Sequence, residues 1–304
     1  VLKRARVGHV VHVDVADRIQ DAAEMLEKVP GVKKVAVVAG ATRGAGRGIA
    51  SMLGEAGATV YCTGRSTRTL AATPGRSENI DETAEMVSHY GGVGIPVQVD
   101  HLVPAQVEAL FARVRAEQGR LDILVNDIWG GERLSQWNTP FWEQSLEIGF
   151  QMMETAIHTH IITSHFGVPL LVEQGSGLVV EITDGDSADY RGNFFYDLCK
   201  STVIRMALGM AEELRPHGVA AIAVSPGFLR SEEMLDYFGV TEANWRDATA
   251  KEPLFIASET PFFVGRAIAA LAADPAVMQK SGRAFGSWTL SDEYPILDMD
   301  GSRP

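Results

Sequence analysis

The sequence predicts a single α/β domain in which a doubly wound parallel sheet is covered by helices on both faces. Short runs that are apolar at every position alternate with longer amphipathic stretches from about residue 35 onward. Such runs suit strands buried on both faces, and the alternation is typical of parallel strands joined by crossover helices. The first apolar run also leads directly into a glycine-rich turn, which is typical of nucleotide-binding sheets of this class.

The apolar runs predict six strands, at 34–39, 59–62, 97–99, 121–125, 178–182 and 219–224. The amphipathic stretches predict five helices, at 47–56, 77–90, 104–118, 141–173 and 195–217. These elements fall within one predicted domain, 35–304, which would hold both cofactor and catalytic groups, while residues 1–34 form an appendage of unknown role. Residues 228–261 show no clear period but are rich in aromatic side chains, so we expect a substrate lid. A helical excursion that only packs against the domain is the alternative.

The composition excludes several functional classes. The 304 residues carry a formal net charge of −12, which argues against nucleic acid or an anionic membrane as a partner of the whole surface. Cys62 and Cys199 are the only cysteines, so a disulfide framework is excluded and a reducing, cytoplasmic location is expected. No apolar run reaches the roughly 18 residues that a transmembrane helix requires.

The glycine-rich turn has glycines at Gly40, Gly44 and Gly46, with the spacing G-x-x-x-G-x-G. Glycines let the chain turn sharply off a strand and let its backbone approach a diphosphate closely. The helix that follows directs its free N–H groups at the anion. The turn therefore predicts a dinucleotide site.

The second predicted strand indicates which dinucleotide is bound. Sites for NAD usually have a carboxylate at the end of this strand, but here Gly64 stands at that position and Arg65 follows it. Between residues 40 and 77 there are five arginines and a single acid, Glu55, which gives this segment a net charge of +4. We expect Arg43 and Arg65 to clamp a 2′-phosphate, so NADP(H) is favoured over NAD(H). The alternative is that these arginines are solvated surface residues.

Tyr196 and Lys200 lie four residues apart near the start of a predicted helix, a spacing that places both on one face. A free tyrosine titrates near pH 10, which is too high for proton transfer at neutral pH. A nearby ammonium favours the phenolate and lowers that pKa, so the pair is a candidate for acid–base catalysis.

These motifs resemble those of the short-chain dehydrogenase/reductase family, over about residues 34 to 290. The resemblance rests on the glycine turn, Asp100 after the third strand, the 124–127 sequence LVND with Asn126, the Tyr196/Lys200 pair, and Ser225-Pro226-Gly227 after the sixth strand. It implies a Rossmann-type fold that acts on a small-molecule substrate, a carbonyl compound or an alcohol. It also implies a homodimer or homotetramer, assembled through the long helices at 141–173 and 195–217.

The resemblance also implies residue roles. Asp100 would contact the adenine, and Asn126 would support the sheet and the cofactor. The turn at Pro226 and Gly227 would border the nicotinamide. Tyr196 would be the general acid or base, and Lys200 would hold the ribose while lowering the tyrosine pKa.

The sequence departs from the family pattern where a serine usually hydrogen-bonds the substrate carbonyl. Thr183, 13 residues before Tyr196, is expected to do the work of that serine, but strand register leaves Asp184 as a competitor. An ionised Asp184 could not donate a hydrogen bond, whereas a protonated one could. Gly149 stands where many members have an asparagine that orders a water. Trp129 lies where the family usually reads Asn-Ala-Gly, and we expect its ring over the cofactor crevice. Together these departures indicate an outlying subgroup of the family.

The favoured function is an NADP(H)-dependent oxidoreductase that interconverts a carbonyl and an alcohol on a medium-sized, largely apolar substrate. A nucleotide-binding regulator that kept the fold and lost efficient catalysis is the alternative. No metal site is predicted: His158, His160 and His165 share a predicted helix, but their offsets do not place three imidazoles on one ion, so surface or interface histidines are expected.

Overall fold

A computed structural model describes residues 33–304 of the chain. Within this range seven parallel strands form one sheet in the order β3-β2-β1-β4-β5-β6-β7, with helices on both faces, so the predicted fold class is confirmed. The predicted appendage, apart from its last two residues, lies outside the described residues. The strands are β1 (Val35–Ala39), β2 (Thr59–Gly64), β3 (Val93–Gln98), β4 (Ile123–Asn126), β5 (Gly177–Ile182), β6 (Val219–Ser225) and β7 (Ala284–Gly286).

Two apolar layers hold the sheet, one on each face. Alternate residues of a strand enter opposite layers: Val38 and Val60 belong to one cluster of buried side chains, and Val37 and Val179 belong to the other. Strands β1, β2, β4 and β6 are buried at every position. Burial on both faces explains why these strands read as continuous apolar runs in the sequence.

The helices that cover the sheet are α1 (Gly44–Glu55), α2 (Ile80–His89), α3 (Pro104–Gln118), α4 (Leu146–Met153), α5 (Thr159–Gln174), α6 (Phe194–Leu214), α7 (Glu232–Phe238), α8 (Pro261–Ala273) and α9 (Ser287–Glu293). The prediction of one continuous helix over 141–173 is wrong. Ser145 caps the N-terminus of α4 by accepting a hydrogen bond from the Ile148 N–H, and a π-helical turn at Glu154–His158 separates α4 from α5. Such turns interrupt α-helices most often at functional sites.

Helix α1 is fixed in place by close packing against α8. A Cβ atom on Gly48 would lie 2.0 Å from the backbone oxygen of Pro261, and one on Gly265 would lie 2.6 Å from the backbone oxygen of Gly48. The two backbones therefore touch, which only glycine permits at these positions. Since α1 follows the glycine turn directly, this packing also positions the turn.

The predicted lid, 228–261, contains α7 and two 3₁₀ segments, Trp245–Ala250 and Pro253–Ala257. Its side chains Phe238, Trp245 and Phe255 are buried against one another and form a small core of their own. Much of the aromatic content that suggested a substrate lid therefore serves to hold the segment together, and its action as a lid stays a prediction.

Candidate active site

The glycine turn lies at the carboxyl end of β1, between β1 and β4, where the strand order reverses direction and α/β sheets bind their ligands. Gly40 has φ of +90°, and a Cβ atom there would lie 2.2 Å from the backbone oxygen of Asp127. A Cβ atom on Gly46 would lie 2.4 Å from the backbone oxygen of Gly40. Both positions require glycine, and the bare backbone leaves room for a diphosphate beside the N-terminus of α1.

The end of β2 lacks the carboxylate of an NAD-type site, and a side chain there would crowd Thr42. A Cβ atom on Gly64 would lie 2.4 Å from the Thr42 hydroxyl oxygen. Arg65 is exposed and lines an open groove of about 630 Å³ together with Val99 and Asp100. Asp100, for which the family resemblance implies an adenine contact, therefore shares a groove with Arg65.

The positive charge of the 40–77 segment is largely neutralised in the fold. Arg47 pairs with Glu82, Arg68 pairs with Glu85, and Arg76 pairs with Glu78. The carboxylates that neutralise them lie beyond residue 77, which is why a local count gave a surplus of +4.

Arg43 and Arg65 differ from these three arginines. Neither forms an ion pair with any residue in 33–304. They are the two arginines that the sequence assigned to a 2′-phosphate.

Two carboxylates of α7 contact the 40–77 segment, and one of them reaches the glycine turn. The N–H of Gly44 donates a 2.8 Å hydrogen bond to Oε2 of Glu232, and Nη1 of Arg47 lies 3.5 Å from Oε1 of the same side chain. Asp236, one helical turn further on, pairs with Arg76 at 2.5 Å. A carboxylate therefore occupies the anion-binding end of α1 in this structure.

Tyr196 and Lys200 lie in the first two turns of α6, whose N-terminus is capped by Asn193. The Tyr196 hydroxyl donates a 2.7 Å hydrogen bond to Oδ2 of Asp184, a half-buried residue just beyond β5. The Thr183 hydroxyl instead donates to the backbone oxygen of Lys200 at 2.8 Å, and Thr183 is 2% exposed. The structure thus brings Asp184, and not the hydroxyl of Thr183, to the tyrosine.

Aromatic rings surround the tyrosine. The centroids of the Trp129 and Trp137 rings lie 5.4 Å and 5.2 Å from that of Tyr196. Nζ of Lys200 lies 4.0 Å from the centroid of Trp129, within cation–π range. The predicted position of Trp129 at the crevice agrees with this arrangement, and Phe141 and Phe194 stack on each other nearby at 5.1 Å.

The Pro226-Gly227 turn follows β6 and is tied to the loop that carries Asp184. The Gly185 N–H donates a 2.7 Å hydrogen bond to the Ser225 hydroxyl. On its other side the turn meets Glu259, whose Oε2 would lie 2.8 Å from a Cβ atom on Gly227. Burial raises the pKa of Glu259 to about 7, although hydrogen bonds from Ser287 and the Gly227 backbone oppose the shift.

A buried polar network beneath the site was missed in the sequence. Nδ1 of His160 lies 2.5 Å from Oε2 of Glu181, and its Nε2 lies 3.0 Å from the backbone oxygen of Ile128. Nδ2 of Asn126 donates to Oε1 of Glu181 at 2.7 Å and to the Ser164 hydroxyl at 2.9 Å. The network joins β4, β5 and α5 through hydrogen bonds of Asn126 and His160.

His160 is therefore not the surface or interface histidine that the sequence suggested, since it is 2% exposed. The sequence did contain one indication of this burial. Glu181 is a glutamate inside an otherwise apolar strand, and a buried carboxylate requires a buried hydrogen-bonding partner. His160 and Lys200 also line one cavity of about 10 Å³, roughly the space of one water molecule.

Gly149 lies away from this cavity. A Cβ atom there would lie 2.4 Å from the Phe195 ring, so the ring fills the space that a larger side chain would need. From the helical stretch 146–174, the residues that line the cavity are Ala156 and His160. Within residues 33–304 no cluster of three or more histidine, cysteine or acidic side chains could hold a metal ion.

The family model described as short chain dehydrogenase matches residues 34–238. The dehydrogenase/reductase SDR family member 1 of Mus musculus is 36% identical to this chain over 273 residues, which cover 88% of this chain and 84% of that protein. The protein of the same name from Homo sapiens is 34% identical over the same coverage.

Solved structures show the same fold. A short-chain type dehydrogenase/reductase from Mycobacterium marinum has a TM-score of 0.68 and 23% identity, and the match covers 87% of this chain and 96% of that one. A putative NAD(P) dependent gluconate 5-dehydrogenase from Beutenbergia cavernae, with NADP bound at low occupancy, has a TM-score of 0.65 and 22% identity, covering 84% and 94%. Across residues 33–304, no helix combines the length and apolar character needed to cross a bilayer.

Proposed function

The chain belongs to the short-chain dehydrogenase family, and on that premise we propose that it is an NADP(H)-dependent oxidoreductase that interconverts a carbonyl and an alcohol. Membership confirms the resemblance carried by the glycine turn and the Tyr196/Lys200 pair. The observation that carries the proposal is the placement of that pair on one face of α6, with the tyrosine hydroxyl directed at the loop after β5.

The cofactor site has the features that a dinucleotide needs. Gly40 and Gly46 leave a bare backbone that side chains would fill. Arg65 lines the groove that we assign to the adenosine end, and neither Arg43 nor Arg65 forms an ion pair with a residue in 33–304. When bound, NADP(H) supplies the hydride that is transferred to or from the substrate carbon. We infer NADP(H) rather than NAD(H) because Gly64 supplies no carboxylate to bind a ribose 2′-hydroxyl, and Arg65 follows it.

Residues of the chain would then transfer the proton, position the catalytic groups and contact the substrate. Tyr196 gives a proton to the substrate oxygen in reduction and takes it back in oxidation, while the Lys200 ammonium stabilises the phenolate. Asp184 hydrogen-bonds the tyrosine and so holds its hydroxyl in the crevice, and Thr183 fixes the backbone of Lys200. Trp129 and Trp137 supply apolar walls, which suits a medium-sized, largely apolar substrate.

The catalytic role of Tyr196 is tested by Tyr196→Phe, assayed with NADPH and a panel of apolar ketones. Loss of the hydroxyl removes the proton donor, so we expect kcat to fall by roughly 100-fold or more while NADPH binding is retained. Tyr190→Phe is the matched control, because Tyr190 is a nearby tyrosine that is 64% exposed. Undiminished activity in Tyr196→Phe would remove the catalytic assignment.

Cofactor choice is tested by Arg65→Asp, with calorimetric titration of NADPH and NADH. The wild type should bind NADPH more tightly, and the variant should lose that preference because a carboxylate repels the 2′-phosphate. Arg68→Asp is the control, since Arg68 is an exposed arginine of the same segment that pairs with Glu85. Equal affinities for the two cofactors in the wild type would contradict the NADP(H) proposal.

The second candidate function, a nucleotide-binding regulator, draws support from the acid at position 184 and from Gly149. It is favoured if the folded protein binds NADPH tightly yet turns over no ketone or alcohol of a broad panel. We also propose a homodimer or homotetramer, supported by exposed apolar side chains such as Phe150, Ile161 and Leu208 on α4, α5 and α6. A monomer in size-exclusion chromatography with light scattering would contradict it.

A further inference from the structure

The substrate end of the site presents a carboxylate where a neutral hydroxyl donor was expected. Asp184 accepts the hydrogen bond of the Tyr196 hydroxyl at 2.7 Å. The hydroxyls at the carboxyl ends of β5 and β6 donate elsewhere, Thr183 to the Lys200 backbone and Ser225 to the Pro226 backbone at 2.8 Å. The reacting group of a substrate beside Tyr196 therefore meets an acceptor in Asp184.

A ketone is poorly matched to this arrangement. Its oxygen can only accept hydrogen bonds, and a carboxylate can only accept them as well. Both would then compete for the single hydroxyl proton of Tyr196, and Asp184 would be left without a donor. A protonated imine differs from a ketone of the same shape because its nitrogen carries an N–H donor and a positive charge.

The surroundings of Asp184 also favour a cation. Tyr196 packs against the rings of Trp129 and Trp137. The Lys200 ammonium already lies over the Trp129 ring, whereas Trp137 is 49% exposed and can meet a substrate. Aromatic rings attract cations, and a carboxylate adds a charge-assisted hydrogen bond. The nearby Arg191 guanidinium donates to the backbone oxygen of Asp184 and pairs with the carboxylate of Asp197 at 2.9 Å.

We propose that this site also reduces protonated C=N bonds, and that it prefers them to ketones of the same shape. The inference rests on the proposed oxidoreductase function and names a substrate class for it. The hydride of NADPH forms a C–H bond at the iminium carbon, and the π electron pair of the C=N bond moves onto nitrogen. The products are a neutral amine and NADP⁺, so no proton is required, and Asp184 accepts the hydrogen bond from the N–H throughout.

The test compares dihydroisoquinoline with tetralone, a fused bicyclic imine and a ketone of similar shape, using NADPH and subtracting the enzyme-free rate. The measured quantity is the ratio of kcat/KM for imine over ketone. A hydrogen bond to a charged group is lost with the ketone, so the wild-type ratio should be roughly 10-fold or more.

Two variants assign this preference to the carboxylate. Asp184→Ser replaces the acceptor by a neutral donor, so kcat/KM should fall for dihydroisoquinoline and rise for tetralone. Asp184→Asn keeps the shape and removes the charge, and it should lower the ratio even where the serine variant folds poorly. Asp186→Asn is the control, since Asp186 is an exposed carboxylate of the same loop, and its ratio should equal that of the wild type.

A wild-type ratio of one or less, or a ratio that both Asp184 variants leave unchanged, would overturn the inference. In that case turnover of tetralone that depends on Tyr196 would leave the proposed function intact. If the folded, NADPH-binding protein turns over neither compound nor the corresponding alcohol and amine, the proposed function fails and the inference fails with it.

Discussion

The carboxylate of Glu232 is predicted to weaken cofactor binding, and Glu232→Gln should therefore tighten it. In the structure Glu232 accepts the hydrogen bond of the Gly44 N–H at 2.8 Å, at the end of α1 that a diphosphate would contact. An anionic cofactor has to displace this side chain before it can bind the same N–H. Glutamine keeps the length of the side chain but carries no charge to compete with phosphate.

The size of the effect follows from the contacts of Glu232. A hydrogen bond to a charged group contributes roughly 1.5–3 kcal/mol. The side chain of Glu232 is 28% exposed and its ion pair with Arg47 is long, at 3.5 Å, so the lower end of this range applies. Removing the charge should lower the Kd of the cofactor about tenfold.

Calorimetric titration at fixed salt concentration measures the change directly. NADPH and NADH should gain affinity equally in Glu232→Gln, because both carry the diphosphate; this separates the effect from that of Arg65 at the 2′-phosphate. Glu233→Gln is the matched control, since Glu233 is the neighbouring acid of α7, and its Kd should not change. Unchanged or weaker binding in Glu232→Gln would refute the reasoning, because the carboxylate would then leave the turn at no cost or help to hold the bound cofactor.

Three further predictions concern stability and are measured by urea unfolding. Burial raises the pKa of Glu259 from 4.5 to about 7, so the folded state favours the protonated side chain. The resulting stabilisation is complete below pH 4.5 and is lost as the pH rises to about 7. Relative to Glu259→Gln, the free energy of unfolding of the wild type should fall by about 3 kcal/mol over that interval. Gly48→Ala should cost roughly 1–3 kcal/mol because its Cβ meets the α8 backbone, whereas Gly209→Ala, with open space around it, should gain up to about 1 kcal/mol. His160→Gln should cost about 3 kcal/mol by leaving a buried carboxylate poorly paired, and the exposed His165→Gln should change nothing.

Much of the sheet was predictable because burial on both faces leaves a simple pattern in the sequence. Strands β1, β2, β5 and β6 were predicted to within a few residues. Strand β3 was predicted to begin at residue 97 but begins at Val93, because it is an edge strand whose half-exposed residues do not form an apolar run. The three-residue β7 was not predicted, because so short a strand shows too little of a periodic pattern. The helices α8 and α9 beside it were not predicted either.

At the candidate site, spacing along the chain predicts which side chains lie together for some groups and not for others. The glycine turn and the Tyr196/Lys200 pair are local motifs, so the sequence places their members next to one another. The choice between Thr183 and Asp184 is not local, because it depends on which side chain the strand end turns toward α6. The hydrogen bond from Thr183 to the Lys200 backbone settles that orientation, and no sequence pattern encodes it.

A count of charges along the sequence also fails to show which charges are paired in the fold. A count along 40–77 weighs the five arginines of the segment equally, but three of them have carboxylate partners that lie later in the chain, including Asp236 on α7. Electrostatic interaction depends on distance in space, so only arginines that the fold leaves unpaired within the described residues can contribute fully to binding a phosphate. Arg43 and Arg65 meet that condition, and Gly64, beside Arg65, supplies no carboxylate. The proposal of NADP(H) therefore rests on these two arginines, unpaired among the described residues, and on the absent carboxylate rather than on the surplus of +4. It predicts that Arg65, and not Arg68, sets the cofactor preference.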